Sequence, residues 1–215
     1  MTMTAVPRIL VLGIGNILWA DEGFGVRAVE ELARRYAFPD NVRLEDGGTQ
    51  GLYLVDLVRD ADVLVVFDAV DYGLPAGTLH CVRGDDVPRF MGARKVSLHQ
   101  TGFQEVLALA GLMGQCPRDL LLIGVQPVEL EDFGGSLREP VKAQIEPALA
   151  VALEHLAGYG VVAWERPNTA HIPEFVHREV SLAVYEAGRP SADVACRIGD
   201  ERFLPGRSGD SSECA

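Results

Sequence analysis

The sequence predicts a three-layer α/β/α sandwich on a five-stranded, mostly parallel twisted sheet. Three observations carry that expectation. Near-continuous apolar runs of strand length recur at 8–13 (RILVLG), 63–69 (VLVVFDA) and 120–125 (LLLIGV), the pattern of strands buried on both faces. Segments of helical period separate them, as in α/β sheets with helices on both faces. A further run, 78–83 (TLHCVR), follows its predecessor after too few residues for a crossover helix, which makes it an antiparallel edge strand.

The elements follow in order. After the first strand, Phe24, Val26, Val29, Leu32, Ala33 and Tyr36 recur at spacings near three and four, giving an amphipathic helix over 22–36. Residues 42–46 form a short second strand stopped by Gly47 and Gly48. Thr49 is the expected cap of the next helix, whose apolar positions Leu52, Leu54, Val55, Leu57 and Val58 run on to Ala61. The third strand, 63–69, is apolar except for Asp68 near its C-terminal end. Past the edge strand, a loop through Asp85, Asp86 and Pro88 leads to Ser97, Leu98 and His99, then to a helix over 100–113 and the fifth strand. A long helix over 136–158 closes the domain, with Pro140 and Pro147 arguing for a start near Leu137 and a kink. Right-handed crossovers give the strand order 2-1-3-5-4 and put the topological switch point between strands 1 and 3. Function is expected beside the loops that follow Gly13, Asp46 and Asp68. Residues 1–164 form one expected domain. Residues 165–215 are an expected extension, with a helix over 174–186 and a Gly-, Ser- and Pro-rich disordered stretch over 188–215.

Composition narrows the function classes. With 215 residues, 48% hydrophobic and 23% charged, the chain can bury one main core. Its formal charge of −12 repels phosphate backbones and anionic lipid, so no nucleic-acid partner is expected. No apolar run approaches the ~18 residues of a membrane span, and the N-terminus lacks a basic region followed by an apolar one. The expected location is the cytoplasm, and the expected state is a monomer. Cys81, Cys116, Cys196 and Cys214 are too few and too scattered for a disulfide framework, and no Cys-x-x-Cys pair exists. Cys81 and Cys116 read as small buried apolar residues. Glu30, Glu31, Arg34 and Arg35 read as a solvated, oppositely paired helix face.

The chemistry-bearing residues cluster on one rim. Gly13-Ile14-Gly15-Asn16 follows the first strand as a dinucleotide fingerprint would, but Leu18 stands where a third glycine belongs, and no Walker A lysine is present. Glycines there also serve tight turning alone. Glu22, Asp46 and Asp68 all fall at the C-terminal rim of the predicted sheet. One reading has Glu22 complementing a helix dipole and the aspartates accepting loop amides. The other makes them a hard-oxygen cation site, with His99 as nitrogen ligand and an open position for chemistry. A Gly-x-Ser-x-Gly elbow and a His-Glu-x-x-His pair are both absent.

Four segments then align with a known pattern. The run from Gly13 to Val26 (GIGNILWADEGFGV), Asp46-Gly-Gly-Thr49, Phe67-Asp-Ala69 and Ser97-Leu-His-Gln100 resemble the nickel-iron hydrogenase maturation endopeptidases, the first run resembling the subgroup that serves uptake hydrogenases. The likeness covers about residues 7 to 160. It implies a cytoplasmic protease that removes a short C-terminal extension from the hydrogenase large-subunit precursor once nickel is inserted. By that resemblance Glu22, Asp68 and His99 fall on metal-binding positions and Asp46 on a further, supporting acidic one, the nickel arriving with the precursor or residing in the enzyme. Two other functions remain open here: a non-catalytic nickel-binding maturation chaperone and a nucleotide-binding module.

Overall fold

The computed structural model describes residues 6–88, 98–167, 173, 175 and 177–189, with residues 98–102 described as backbone only. Five strands form the main sheet: β1 (Ile9–Ile14), β2 (Val42–Gly48), β3 (Val63–Ala69), β4 (Leu79–Arg83) and β5 (Asp119–Val125). Their spatial order is β2-β1-β3-β5-β4, parallel except for β4, which pairs antiparallel with β5. This is the predicted order and the predicted edge.

Alternation along the strands feeds two cores. Ile9, Val11, Val63, Val65, Phe67, Leu121 and Ile123 face α1 (Phe24–Arg35) and, later in the chain, the helix Ile145–Ala157. Leu10, Leu12, Leu64, Val66 and Leu122 face the opposite way, onto α2 (Val55–Asp60) and α3 (Leu98–Leu112). Both β1 and β3 are buried along their whole length, which is why they read as apolar runs without alternation.

Two glycines allow α1 to sit directly on the sheet. A Cβ on Gly25 would stand 2.2 Å from the Phe67 carbonyl oxygen and 2.3 Å from that of Ile14, and one on Gly13 would stand 2.3 Å from the Gly25 carbonyl oxygen. Backbone therefore packs on backbone where β1, β3 and α1 meet. The glycine-rich turn after β1 is explained by this close approach, without a pyrophosphate.

Several elements differ from expectation, each for a local reason. The 22–36 helix is α1 preceded by a 3₁₀ turn, Ala20–Gly23, so Glu22 lies in the turn and not in the helix. Thr49 caps nothing. The Asp46 carboxylate accepts the Gly48 N–H at 2.8 Å, and a 3₁₀ turn, Gly51–Leu54, precedes α2. His99 lies in the first turn of α3 rather than in a loop before it. The long closing helix is two pieces, α4 (Glu139–Lys142) and α5 (Ile145–Ala157). Pro147 accounts for the break, because its ring excludes a helical carbonyl four residues back, at Ala143. The expected 174–186 helix is a 3₁₀ turn, Arg178–Val180, followed by α6 (Leu182–Gly188). The expected disordered stretch lies outside the described residues beyond Arg189.

The C-terminal segment also changes the reading of α1. Tyr36–Ala37 pairs antiparallel with Trp164–Glu165. Arg27 donates to the Val180 carbonyl at 2.6 Å and to Glu30 at 2.9 Å, and its guanidinium lies 5.5 Å from the centre of the Tyr185 ring. Glu30 is consequently buried beneath this segment, not solvated as its helix pattern suggested, whereas Glu31 pairs with Arg34 and Arg35 as expected.

At the other end of the sheet, burial holds the His155 imidazole below its ordinary value. Asp119 acts against that shift, and Arg83, whose Nη1 lies 3.0 Å from His155 Nδ1, adds to it. The unfolded chain therefore takes up a proton before the folded one does as pH falls through about 6.5. Unfolding free energy measured in urea is expected to decline from that pH downward, and His155→Gln is expected to flatten that part of the profile. Gly25→Ala is expected to cost about 3 kcal/mol or more, read as a lower urea midpoint, because two backbone oxygens must move to admit one methyl group.

Candidate active site

The site lies at the C-terminal rim, the switch point of the sheet. Asp68 is the one charged residue of β3 and is completely buried. Alternation places it with Leu64 and Val66, on the face that α2 and α3 cover. His99 begins α3 over that same face; its side chain lies outside the described residues. Among the described residues no three His, Cys, Asp or Glu side chains converge to hold an ion. Glu22 is half-buried in the turn between β1 and α1.

Asp46 goes elsewhere. It pairs in register with Gly13, and Gly13 in turn with Phe67, on the α1 face of the sheet. Asp46 and Asp68 thus point to opposite faces of strands two places apart, about 10 Å across the sheet. Burial raises the Asp46 carboxyl above its ordinary value, opposed by the Gly48 N–H and by the nearby His177 and Arg27. It stabilises the turn after β2 and does not face Asp68.

A tyrosine completes the Asp68 wall. Asp68 pairs with Gly124 on β5, and Gly124 pairs with His80 on β4. A Cβ on Gly124 would lie 2.3 Å from the Tyr72 hydroxyl, so the glycine opens the space which that phenol fills. Tyr72 meets His80 edge-on at 5.0 Å between ring centres. Its N–H donates to Gln126 Oε1 at 2.8 Å. Burial, and next the Asp68 charge, pushes the Tyr72 phenol well above its ordinary value, so it stays protonated as a donor. A glycine inside the LLLIGV run was the sequence signal for this close approach.

On the other side of the rim, the residue beside Glu22 holds a loop. Asp21 is completely buried, and its carboxylate accepts the N–H groups of Val128 at 2.8 Å, Glu129 at 2.9 Å and Arg138 at 2.6 Å. Ala20 before it has a φ of 42°, unusual for a residue with a side chain, and Asp21 N–H to the Glu129 carbonyl helps to enforce it. Glu22 is thereby presented on a fixed turn.

Comparison with known proteins decides which family the chain belongs to. The profile of the hydrogenase maturation protease family matches residues 26–155. The chain belongs to that family. Hydrogenase expression/formation protein HupD of Thiocapsa roseopersicina is 65% identical over 203 residues, covering 94% of this chain and 92% of that protein. The hydrogenase 2 maturation protease of Escherichia coli is 44% identical over 160 residues, covering 74% of this chain and 96% of its own. The solved structure of the maturating endopeptidase HybD from E. coli superposes with a TM-score of 0.70 at 42% identity, over 74% of this chain and 98% of that one. This maturation protease is therefore an endopeptidase, and the resemblance read from four motifs names the right family.

Neither described cysteine has the surroundings of an activated thiol. Cys81 and Cys116 are exposed rather than buried as expected. Local desolvation holds both thiols above their ordinary value, opposite to an activated nucleophile.

Asp21→Ala is expected to lower the unfolding free energy by about 3 kcal/mol, since three amides lose a charged acceptor. Thermal melts check the stability. Proteolytic nicking within 128–138 is expected to rise with it, reporting release of the loop.

Proposed function

We propose that this maturation protease removes the C-terminal extension of a nickel-iron hydrogenase large-subunit precursor after nickel insertion. In this reading Glu22, Asp68 and His99 read the nickel that the precursor carries. The complete burial of Asp68 at the end of an apolar strand, on the face where α3 begins with His99, is the observation that carries it. A carboxylate held in so apolar a setting attracts a cation at the rim more strongly than one in water, and its oxygens suit a divalent ion.

The donor set fits such an ion. Two carboxylate oxygens and one imidazole form a site of mixed hardness with modest affinity of its own. Nickel already held by the precursor can accept these ligands as part of a larger interface, so that metal and protein surface are recognised jointly. Asp68 is oriented from β3 and backed by Tyr72, Glu22 stands on the turn that Asp21 fixes, and Asp46 stabilises the adjoining turn on the other face. All three proposed ligands come from one chain, so a monomer suffices. The acidic balance and the absence of any membrane-crossing helix among the described residues agree with work in the cytoplasm without nucleic acid.

The test is cleavage of purified precursor, followed as mass loss at its C-terminus. Nickel-loaded precursor is expected to be cut and nickel-free precursor to remain whole, with free nickel added to the protease alone giving no rescue. Glu22→Ala, Asp68→Ala and His99→Ala, each with an unchanged melt, are expected to slow processing at least about a hundredfold. Normal processing by Asp68→Ala would overturn the reading. Nickel-dependent binding without any mass loss would instead identify a chaperone.

A further inference from the structure

The loop held by Asp21 carries features that the metal-reading residues do not explain. Large apolar side chains stand in solvent around it: Phe133 is 52% exposed, Val128 49%, Leu18 44% and Trp19 36%. They are not loose. Trp19 meets Phe133 edge-on at 5.3 Å between ring centres, bridges by backbone to Phe133 and Gly135, and the Gly134 N–H donates to the Leu18 carbonyl at 2.7 Å. Three amides of the same loop are fixed on the buried Asp21 carboxylate. A rigid, exposed aromatic pair exposes apolar surface in the free protein, which is the signature of a contact made with a partner.

Charge says what kind of partner. The same loop lines an open groove of about 370 Å³ whose ionisable residues are Asp71, Glu129 and Glu131. Apolar shelf and acidic groove meet at Val128, on one loop that adjoins the turn of Glu22, in a chain of net charge −12. A segment that fills both must offer a large apolar side chain and a basic one.

We propose that Leu18, Trp19, Val128 and Phe133 form a docking shelf for the C-terminal segment of the precursor. One apolar side chain of that segment packs on the Trp19–Phe133 pair, and a neighbouring Lys or Arg enters the groove of Glu129 and Glu131. The shelf rests on the proposed substrate reading and deepens it: specificity for the protein partner is set beside the metal ligands by contacts that do not involve nickel.

The experiment measures binding of nickel-loaded precursor by titration alongside its cleavage kinetics. It uses the full-length wild-type protein, Phe133→Ser, Glu131→Lys and, as a distant control, Leu112→Ser at the exposed end of α3. Phe133→Ser is expected to raise Kd and KM about tenfold with kcat within about a factor of two. Glu131→Lys is expected to raise both and to abolish the weakening of wild-type binding by added salt. Leu112→Ser is expected to change neither, and melting temperatures confirm that all variants fold. Equal Kd for wild type and Phe133→Ser, or an equal loss in Leu112→Ser, would overturn the shelf. Since Kd is read directly, wild-type binding without cleavage would overturn the hydrolytic reading while leaving this comparison decisive.

Discussion

A carboxylate withdrawn from water into an apolar sheet has to be met by donors or by a cation, and the C-terminal rim of this sheet is arranged around two that are completely buried. Asp21 is met by three backbone amides and so fixes the loop after β5 against the turn after β1. Asp68 sits on the opposite side of the switch point, with the Tyr72 phenol over Gly124 beside it. The first carboxylate builds the frame, and the second is the one to which the proposed function assigns chemistry. Neighbouring Glu22, carried on the turn that Asp21 stabilises, inherits its position from that frame.

The same economy of space governs α1. Gly13 and Gly25 bring its first turn into contact with the backbones of β1 and β3, which places the Ala20–Gly23 turn directly above the sheet. Any larger residue there would lift the helix and the turn together. On the outer side of α1, Arg27 and Glu30 are closed over by the segment that carries Val180 and Tyr185. The sheet and the C-terminal segment thus pack on opposite faces of one helix.

Strand order and the antiparallel edge were legible because β1, β3 and β5 are buried on both faces and because no helix fits before β4. The rim was legible for a related reason: Asp68 is the single charge in an apolar run. What escaped is long-range or directional. Nothing in Asp21-Glu22 distinguishes the carboxylate that turns inward to amides 107 to 117 residues away from its half-exposed neighbour. Asp46 and Asp68 look equivalent as strand-end aspartates, yet alternation sends them to opposite faces. Glu30 reads as solvated until a distant segment covers it, a burial that the periodicity of α1 alone does not encode.

In the proposed function the protease adds its own oxygen and nitrogen ligands to nickel held by the precursor. The most direct measurement is nickel K-edge X-ray absorption of loaded precursor, alone and in complex with the protease. The expected result is new light-atom scatterers, nitrogen or oxygen, joining the precursor's nickel environment on complex formation and lost with Asp68→Asn. A nickel spectrum unchanged by a protease that demonstrably binds would contradict it.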